Sequence, residues 1–307
     1  MKNTTSHRQI LYGLTADTHF FNLLNQPQLS GKIDQVFNKA INIVIDNQIF
    51  TLLSSQLDNA PNSCRLLNKN LSTLGIESSD DCQILNGKMS IGSNYWLSFS
   101  LCEVWQQPVI YFTHDKNSKA CYQSFLLKQI NRLDSILAEG TSSLFNYQGD
   151  NLFYLAAAEK LNQLRRCLVV LLQEKQYQNL ADVIRQFVGL GIGLTPSGDD
   201  YLVGFMAFML LKHHPVDMVY PHFYQGVMQG IENTTPVSAI TLEKALAHEY
   251  RENMCQLIQA LVDADESKIN LQFLNILNIG SSSGSDMLFG IRDALYLTHY
   301  FGERYVD

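Results

Sequence analysis

Residues 189–204 read GLGIGLTPSGDDYLVG, and this stretch predicts a glycine-rich loop that leads into a helix. Pro196 cannot lie inside an α-helix without the loss of a backbone hydrogen bond, so we expect the helix to begin after it. Ser197 is expected to be the N-cap, with Asp200 three residues later in the pattern of a capping box. Gly204 lies one turn after Asp200 on the same face, and a glycine there indicates the close approach of another backbone.

A second copy of this pattern lies near the C-terminus. Residues 283–290, SGSDMLFG, align without a gap with residues 197–204, SGDDYLVG, and five of the eight positions are identical. By the same reasoning Ser283 is expected to cap a helix, Asp286 to complete the capping box, and Gly290 to fall on the face of Asp286. The match predicts two similar helix starts in one helical domain.

Two interpretations of the matched motifs remain open. In the first, the two helices cross at their glycines and the aspartates only cap. In the second, the Ser197 and Ser283 helix starts face each other across one cavity, where free backbone N–H groups bind an anion or a carbonyl. The carboxylates would then hold an amide NH₂, an ammonium or a divalent cation such as Mg²⁺. The candidate catalytic residues under the second interpretation are Asp199, Asp200 and Asp286.

Two familiar phosphate-binding motifs do not fit the glycine-rich loop. A P-loop requires a lysine that the loop lacks, and a dinucleotide fingerprint requires a preceding strand where residues 181–188 predict a helix. Asp199 and Asp200 would also repel a phosphate, so a phosphate at this site would need a cation or an arginine. Arg292 is the candidate arginine, although a solvated or salt-bridged arginine is the more common outcome. The hydroxyls of residues 234–238, TTPVS, form an expected N-cap loop and could also face the site.

The composition limits the classes of function. The 307 residues are 46% hydrophobic and 17% charged, with a formal net charge of −7, and they contain no basic block that would neutralise nucleic-acid phosphates. The N-terminal residues lack the apolar core of a signal peptide, and the longest apolar run, Tyr201–Leu211, is shorter than the ~20 residues of a membrane span. Six scattered cysteines without a CxxC pair predict reduced thiols. We therefore expect a soluble cytoplasmic protein.

The chain divides into two parts with different periodicity. Residues 1–115 are expected to form a mainly β domain, an antiparallel barrel or sandwich, with Asn86-Gly87 at a hairpin tip because both turn positions tolerate positive φ. Residues 116–307 are expected to form a mainly α-helical domain that carries both motifs, which makes the fold class α+β. The predicted strands are 41–45, 49–53, 82–85, 89–91, 95–101 and 109–113. The predicted helices are 121–137, 151–176, 179–188, 198–213, 216–231, 236–247, 249–262, 268–278 and 285–301.

The spacing of the two motifs resembles that of a known bacterial family. The pattern GxGxGLTPSGDDxLxG, followed by a GxxSGxDxLxG copy, is similar to the DUF2877 family, which includes AllH-type subunits of oxamate carbamoyltransferase. The segment GKIDQVFNKAINIVI from Gly31 also resembles the start of that family, so the resemblance spans residues 30–302. One departure is Ile192, where proline or a small residue is expected. It affects the stiffness of the loop more than its chemistry.

The resemblance implies a function in company with other polypeptides. Such a chain would work with other subunits, in purine (allantoin) catabolism, to transfer a carbamoyl group between phosphate and an amide such as oxamate. Its small-molecule substrate would be carbamoyl phosphate or an oxamate-like acid. The implied substrate-binding residues are Gly191, Gly193, Thr195, Ser197, Gly198, Ser283 and Gly284, with Arg292 added from the charge argument.

The residues themselves reveal no nucleophile, and two other classes of function stay open. One is a non-catalytic subunit that binds a small acid or organises partners. The other is a metal-assisted hydrolase or carboxylase in which Asp199, Asp200 and Asp286 supply oxygen ligands to a cation.

Overall fold

The computed structural model describes residues 8–113, 119–138 and 142–304, with side chains described as far as Gly302. It contains two compact units, Met1–Pro108 and Val109–Asp307. The first is built on strands and the second on helices, so the α+β class is confirmed. The predicted boundary at residues 115–116 lies outside the described residues and stays a prediction.

The first unit is a closed β-barrel. Its strands are β1 (Gln9–Asp17), β2 (Gln28–Val36), β3 (Ala40–Ile45), β4 (Gln48–Leu53), β5 (Ser63–Leu66), β6 (Asp81–Leu85), β7 (Lys88–Ile91), β8 (Tyr95–Ser98) and β9 (Glu103–Trp105). Eight of them close in the order β5-β4-β3-β2-β6-β7-β8-β1, because β1 also pairs with β5. β9 pairs with the second half of β1, beside β8. Most pairings are antiparallel, but β4–β5, β1–β8 and β1–β9 are parallel.

The barrel core follows from the alternation of side chains along each strand. In β6, Cys82 and Ile84 are buried while their neighbours in the strand are exposed, as expected when one face of a strand packs inward. Ile33, Ile43 and Met89 from other strands join the same core. The predicted hairpin is confirmed: Asn86 (φ 49°) and Gly87 (φ 75°) form the two-residue turn between β6 and β7.

The sequence patterns did not predict four strands of the first unit and one of its helices. Strands β1, β2, β5 and β9 and a short helix, α1 (Thr18–Leu24), were not predicted. β1 mixes polar and apolar residues and carries a register shift between Gly13 and Thr15, which breaks simple alternation. The predicted strand Val109–Thr113 is wrong: of these residues only Tyr111 pairs, in an isolated bridge with Lys212. An extended apolar segment becomes a strand only where a neighbour supplies a ladder of hydrogen bonds.

The second unit is helical, and every predicted helix is confirmed with shifts of a few residues at the ends. The helices are α2 (Lys119–Ala138), α3 (Leu152–Gln173), α4 (Leu180–Phe187), α5 (Ser197–Met209), α6 (Tyr220–Gly230), α7 (Pro236–Leu246), α8 (Glu252–Val262), α9 (Glu266–Leu277) and α10 (Ser283–Arg304). All residues of α5 are buried, so the apolar run after the first motif is a core helix that packs against α10. Across the described ranges, none of the helices has the length and apolar character of a membrane span.

Candidate functional site

Helices α5 and α10 cross at the glycines of the two motifs. A Cβ placed on Gly204 would overlap the backbone carbonyl of Met287, and a Cβ placed on Gly290 would overlap the carbonyl of Tyr201. Met287 and Tyr201 occupy equivalent positions in the two copies, so the contacts are reciprocal. This is the arrangement that an approximate two-fold axis between the helices would produce. The close backbone approach expected from the glycines is confirmed.

The helix starts differ from the predicted capping boxes. Pro196, with φ −56° and ψ 144°, is the N-cap of α5, and its carbonyl accepts from the N–H groups of Asp199 and Asp200. Ser197 is therefore the first helical residue, and the prediction that it caps the helix is wrong. Ser283 likewise lies inside the first turn of α10. In both helices the first N–H groups donate to backbone carbonyls, those of Asp199 and Asp200 to Pro196 and that of Asp286 to Ser282.

Each of these serines bonds to the aspartate of the other copy. The Ser283 hydroxyl donates to the Asp200 carboxyl, and the Ser197 hydroxyl donates to the Asp286 carboxyl. Thr195, in the glycine-rich loop, lies beside the same carboxyl, and its hydroxyl is hydrogen-bonded to the Ser283 hydroxyl, with 2.8 Å between the two oxygens. The tertiary structure thus brings the two helix starts together, and the cross-bonded serines hold Asp200 and Asp286 side by side.

One oxygen of each carboxyl is left over. Asp200 and Asp286 are 2% and 0% exposed, yet the Oδ2 atom of each has no hydrogen-bond partner in the part of the chain that the structure describes. Buried polar atoms in folded proteins are nearly always paired, so two orphaned oxygens in matched positions require an explanation. The pair offers a ligand two adjacent acceptors, or one acceptor and one donor when a proton is bound.

Burial also sets the charge of the pair. Desolvation raises the pKa of Asp286 to about 7, against the opposing hydrogen bonds from Ser143, Ser197 and Ser282. Desolvation, followed by the negative charge of Asp286, raises the pKa of Asp200 well above its ordinary value. The two carboxyls therefore retain a proton close to neutral pH.

Asp199 has a different environment from its neighbour Asp200. It accepts hydrogen bonds from the Gly189 N–H at 2.8 Å, from the Ser238 hydroxyl at 2.7 Å and from the Thr234 hydroxyl. Burial raises its pKa. These bonds connect the glycine-rich loop to the start of α7, where Thr235 is the N-cap, so the expected N-cap loop at residues 234–238 is confirmed. Asp199 therefore has a structural role, because both of its carboxyl oxygens already accept hydrogen bonds from the loop and from the start of α7.

The glycines of the motifs serve close packing more than anion binding. A Cβ on Gly198 would overlap the Phe187 carbonyl, and one on Gly284 would overlap the Ile276 carbonyl. The N–H groups of Gly198 and Gly284 donate to Leu190 and Ile279 carbonyls, at 2.8 and 3.0 Å. An anion cradle of free N–H groups is therefore not formed at these positions.

Three other observations complete the account of the predicted site residues. Gly191 and Gly193 have φ of 138° and 92° in the loop before α5, and a side chain on Gly193 would meet open space. Arg292 lies nearly two turns along α10 from Asp286, where it pairs with Asp134 and Asp293. Within the described ranges there is no group of three or more His, Cys, Asp or Glu side chains that could hold a metal ion.

One contact of the pair could not be expected from the motifs. The Ser143 hydroxyl donates to Asp286 Oδ1, and Ser143 also accepts from the Phe145 N–H. Ser143 lies in the segment between α2 and α3, in a run of residues, SSLFN, that carries no recognisable signal. Only the packing of that segment against α10 brings it to the carboxyl pair.

Comparison with known families matches both units. Residues 187–295 match the family model described as oxamate carbamoyltransferase subunit AllH, and residues 12–104 match the model described as the AllH family N-terminal domain. The first range contains both motifs and the crossing helices, and the second covers most of the barrel. No solved structure matches the chain.

Proposed function

This chain belongs to the AllH family, and on that premise we propose that it is a subunit of an oxamate carbamoyltransferase with its small-molecule site at Asp200 and Asp286. The observation that carries the proposal is the pair of orphaned carboxyl oxygens, one from each copy of the motif. The other subunits of the complex are its expected partners. A role in purine (allantoin) catabolism and a cytoplasmic location belong to the same proposal and rest on the resemblance of the motifs.

The free capacity of the carboxyl pair fits a carbamoyl group. A carbamoyl group carries a planar NH₂ with two N–H donors, and Asp200 Oδ2 and Asp286 Oδ2 are two acceptors without partners. When the pair holds one proton, the other carboxyl is ionised, and a hydrogen bond from the NH₂ to an ionised acceptor is roughly twice as strong as one to a neutral acceptor. Carbamoyl phosphate and oxamate both carry such a group.

The charge of the pair also fits the transfer reaction. In the transfer, the amide nitrogen of the acceptor attacks the carbamoyl carbon, the new C–N bond forms, and the C–O bond to phosphate breaks as phosphate leaves. The amide nitrogen must lose one proton. Asp286, with a pKa of about 7, has the proton affinity expected of a general base that works near neutral pH. We assign proton transfer to Asp286 and substrate positioning to Asp200.

Ligand entry would pass the contact between the two helix starts. Asp200 and Asp286 are buried, but Thr195 and Ser283 are only partly buried, and their hydroxyls meet at 2.8 Å. Gly191 and Gly193 lie immediately before Thr195, at backbone angles that glycine adopts readily. We propose that the loop at residues 190–196 lifts when the Thr195–Ser283 contact parts.

A divalent cation such as Mg²⁺ is the competing occupant, as in a metal-assisted hydrolase or carboxylase. Mg²⁺ binds oxygen ligands in octahedral geometry and commonly uses one or two carboxylates. Asp199 does not add a third carboxylate here, because its oxygens already accept from Gly189, Thr234 and Ser238. Binding of Mg²⁺ would therefore depend on Asp200 and Asp286 together with water.

The proposal is tested by carbamoyl transfer in the assembled complex. We would co-express this chain with its partner subunits and compare Asp200→Asn, Asp286→Asn and the control Asp182→Asn, an exposed residue in the first turn of α4. Loss of a charge-assisted hydrogen bond should lower kcat/KM by roughly 30- to 150-fold in the first two variants and leave the control unchanged. Full activity in both motif variants would contradict the proposal. If added Mg²⁺ raises the activity of the wild type but not that of the two motif variants, the result would favour Mg²⁺ over the carbamoyl NH₂ as the occupant of the pair.

A further inference from the structure

A groove between α3 and α10 is separate from the carboxyl pair. It has a volume of about 330 Å³ and includes residues from one face of α3, Asn162, Arg165 and Arg166, and residues of α10, Arg292, Asp293 and Tyr296. Pockets that hold small ligands begin at about this size. We propose that this groove is a binding site for a small oxyanion, either a phosphate or a carboxylate.

Arg165 presents a fixed donor to the groove. Its Nη2 donates to Asp293 Oδ1 at 2.8 Å and its Nε donates to Asp293 Oδ2, so the guanidinium is held in one plane. Its Nη1 has no partner among the described residues. A guanidinium held in this way keeps its outward N–H groups in place for a planar or tetrahedral anion, so little side-chain entropy is lost on binding.

The carboxylate of Asp293, on the groove wall, already has a hydrogen-bond donor at each of its oxygens. Asp293 accepts two bonds from Arg165, one from Arg292 at 3.2 Å and one from the Tyr201 hydroxyl at 3.0 Å. Four donors thus saturate its oxygens and offset its charge. The carboxylate therefore positions the arginines and leaves no acceptor for a cationic ligand.

The groove carries one surplus positive charge. Arg165, Arg166 and Arg292 supply three guanidinium groups, while Asp293 and Asp134 supply two carboxylates, because Arg292 pairs with Asp134 at 2.8 Å. Arg166 is exposed and makes no ion pair or hydrogen bond within the described part of the chain. The unpaired guanidinium therefore gives the groove its net attraction for an anion.

The neutral side chains of the groove, Tyr296 and Asn162, also suit an anion. The Tyr296 oxygen accepts from Gln173 Nε2 at 3.3 Å, which leaves its O–H hydrogen for a ligand. Asn162 donates both amide hydrogens, to the carbonyls of Phe145 and Ala158. Asn162 Oδ1 and the Tyr296 oxygen are neutral acceptors, whereas the free groups of Arg165 and Arg166 and the O–H of Tyr296 are donors. An oxyanion, with acceptors on every oxygen, complements this set.

The test is a titration of the full chain, monitored by calorimetry, with inorganic phosphate and, separately, with acetate, a carboxylate that lacks the NH₂ group proposed to bind at the carboxyl pair. The informative variant is Arg166→Gln, and the matched control is Arg185→Gln, an exposed arginine on α4. We expect saturable binding of at least one anion by the wild type and the control. Binding by Arg166→Gln should be weaker by about 10-fold, because one charge-assisted contact is lost.

Two outcomes would overturn the proposal. One is the absence of saturable binding of both anions by the wild type. The other is wild-type affinity for both anions in Arg166→Gln. Asp286→Asn separates this site from the carboxyl pair: it should bind phosphate as the wild type does. If Asp286→Asn loses phosphate binding while Arg166→Gln keeps it, the anion binds at the carboxyl pair and the groove assignment fails.

Discussion

Asp200 and Asp286 occupy the same position in two copies of one motif, and each accepts a hydrogen bond from the serine that opens the other copy. This reciprocity sets them apart from the other buried carboxyls of the chain. Asp199 and Asp293 are saturated by donors, whereas Asp200 and Asp286 each keep one unpaired oxygen within the described residues. The most informative variants are therefore Asp200→Asn and Asp286→Asn, which keep the shape of the side chain and remove its ability to carry a charge.

The first prediction concerns Asp200→Asn and Asp286→Asn in the isolated chain. Asparagine keeps the shape and the oxygen that accepts from the serines, and it removes a buried charge, so we expect a melting temperature within about 3 °C of the wild type. Oxamate binding, measured by calorimetry, should weaken by roughly 30- to 150-fold. A large fall in melting temperature with intact binding would instead assign the carboxyls a purely structural role.

The second prediction is a pH dependence of stability. The folded-state pKa of Asp286 is about 7, above the ordinary value of 3.8 that applies to the unfolded chain. The folded state therefore binds the proton more tightly, and this contribution is present below about pH 4 and is lost as the pH rises through 7. The loss amounts to at most about 4 kcal/mol.

Urea denaturation between about pH 4 and pH 8 measures this effect. The free energy of unfolding of the wild type should fall as the pH rises, and Asp286→Asn should flatten part of that fall. The difference in free energy of unfolding between Asp286→Asn and the wild type should thus shift in favour of the variant between about pH 4 and about pH 8. Parallel curves for the two proteins would show that Asp286 does not titrate in this range.

The third prediction concerns the helix crossing. Alanine for glycine inside a helix normally stabilises by up to about 1 kcal/mol. At Gly204 and Gly290 the added Cβ would overlap a backbone carbonyl of the opposite helix, so each substitution should destabilise by about 3 kcal/mol or more. Chemical denaturation measures the change, with Gln163→Ala, at an exposed position of α3, as a control expected to stay near the wild type. A stabilising effect at either glycine would contradict the crossing.

The fourth prediction separates two carboxylates that pair with the same arginine. Asp293 is buried and holds Arg165 as well as Arg292, so Asp293→Ala leaves a nearly buried guanidinium without its partner. We expect a loss of about 3–5 kcal/mol in the free energy of unfolding. The side chain of Asp134 is 49% exposed, so Asp134→Ala should lower the free energy of unfolding by less than about 1 kcal/mol. Equal losses in the two variants would contradict this ranking.

Several features of the fold could be predicted because their causes are local. Asn86-Gly87 forms the predicted turn because its φ angles depend on those two residues alone. The start of α5 after Pro196 follows from the missing N–H of proline. The strands β1, β2, β5 and β9 could not be predicted in this way, because each of them depends on ladder partners that distant segments supply.

The candidate site divides along the same line. The sequence by itself determined that two Ser-Gly-Asp helix starts exist and that their helices approach at glycines, because both signals depend on residues a few positions apart. Only the tertiary structure decided which carboxyl stays free. Asp199 and Asp200 are neighbours in the chain but point to different faces of α5, one towards Thr234 and Ser238 and the other towards Asp286. These partners lie tens of residues away in the sequence. The packing of distant segments, and not the local sequence pattern, therefore gives Asp199 a structural role and leaves Asp200 in the candidate site.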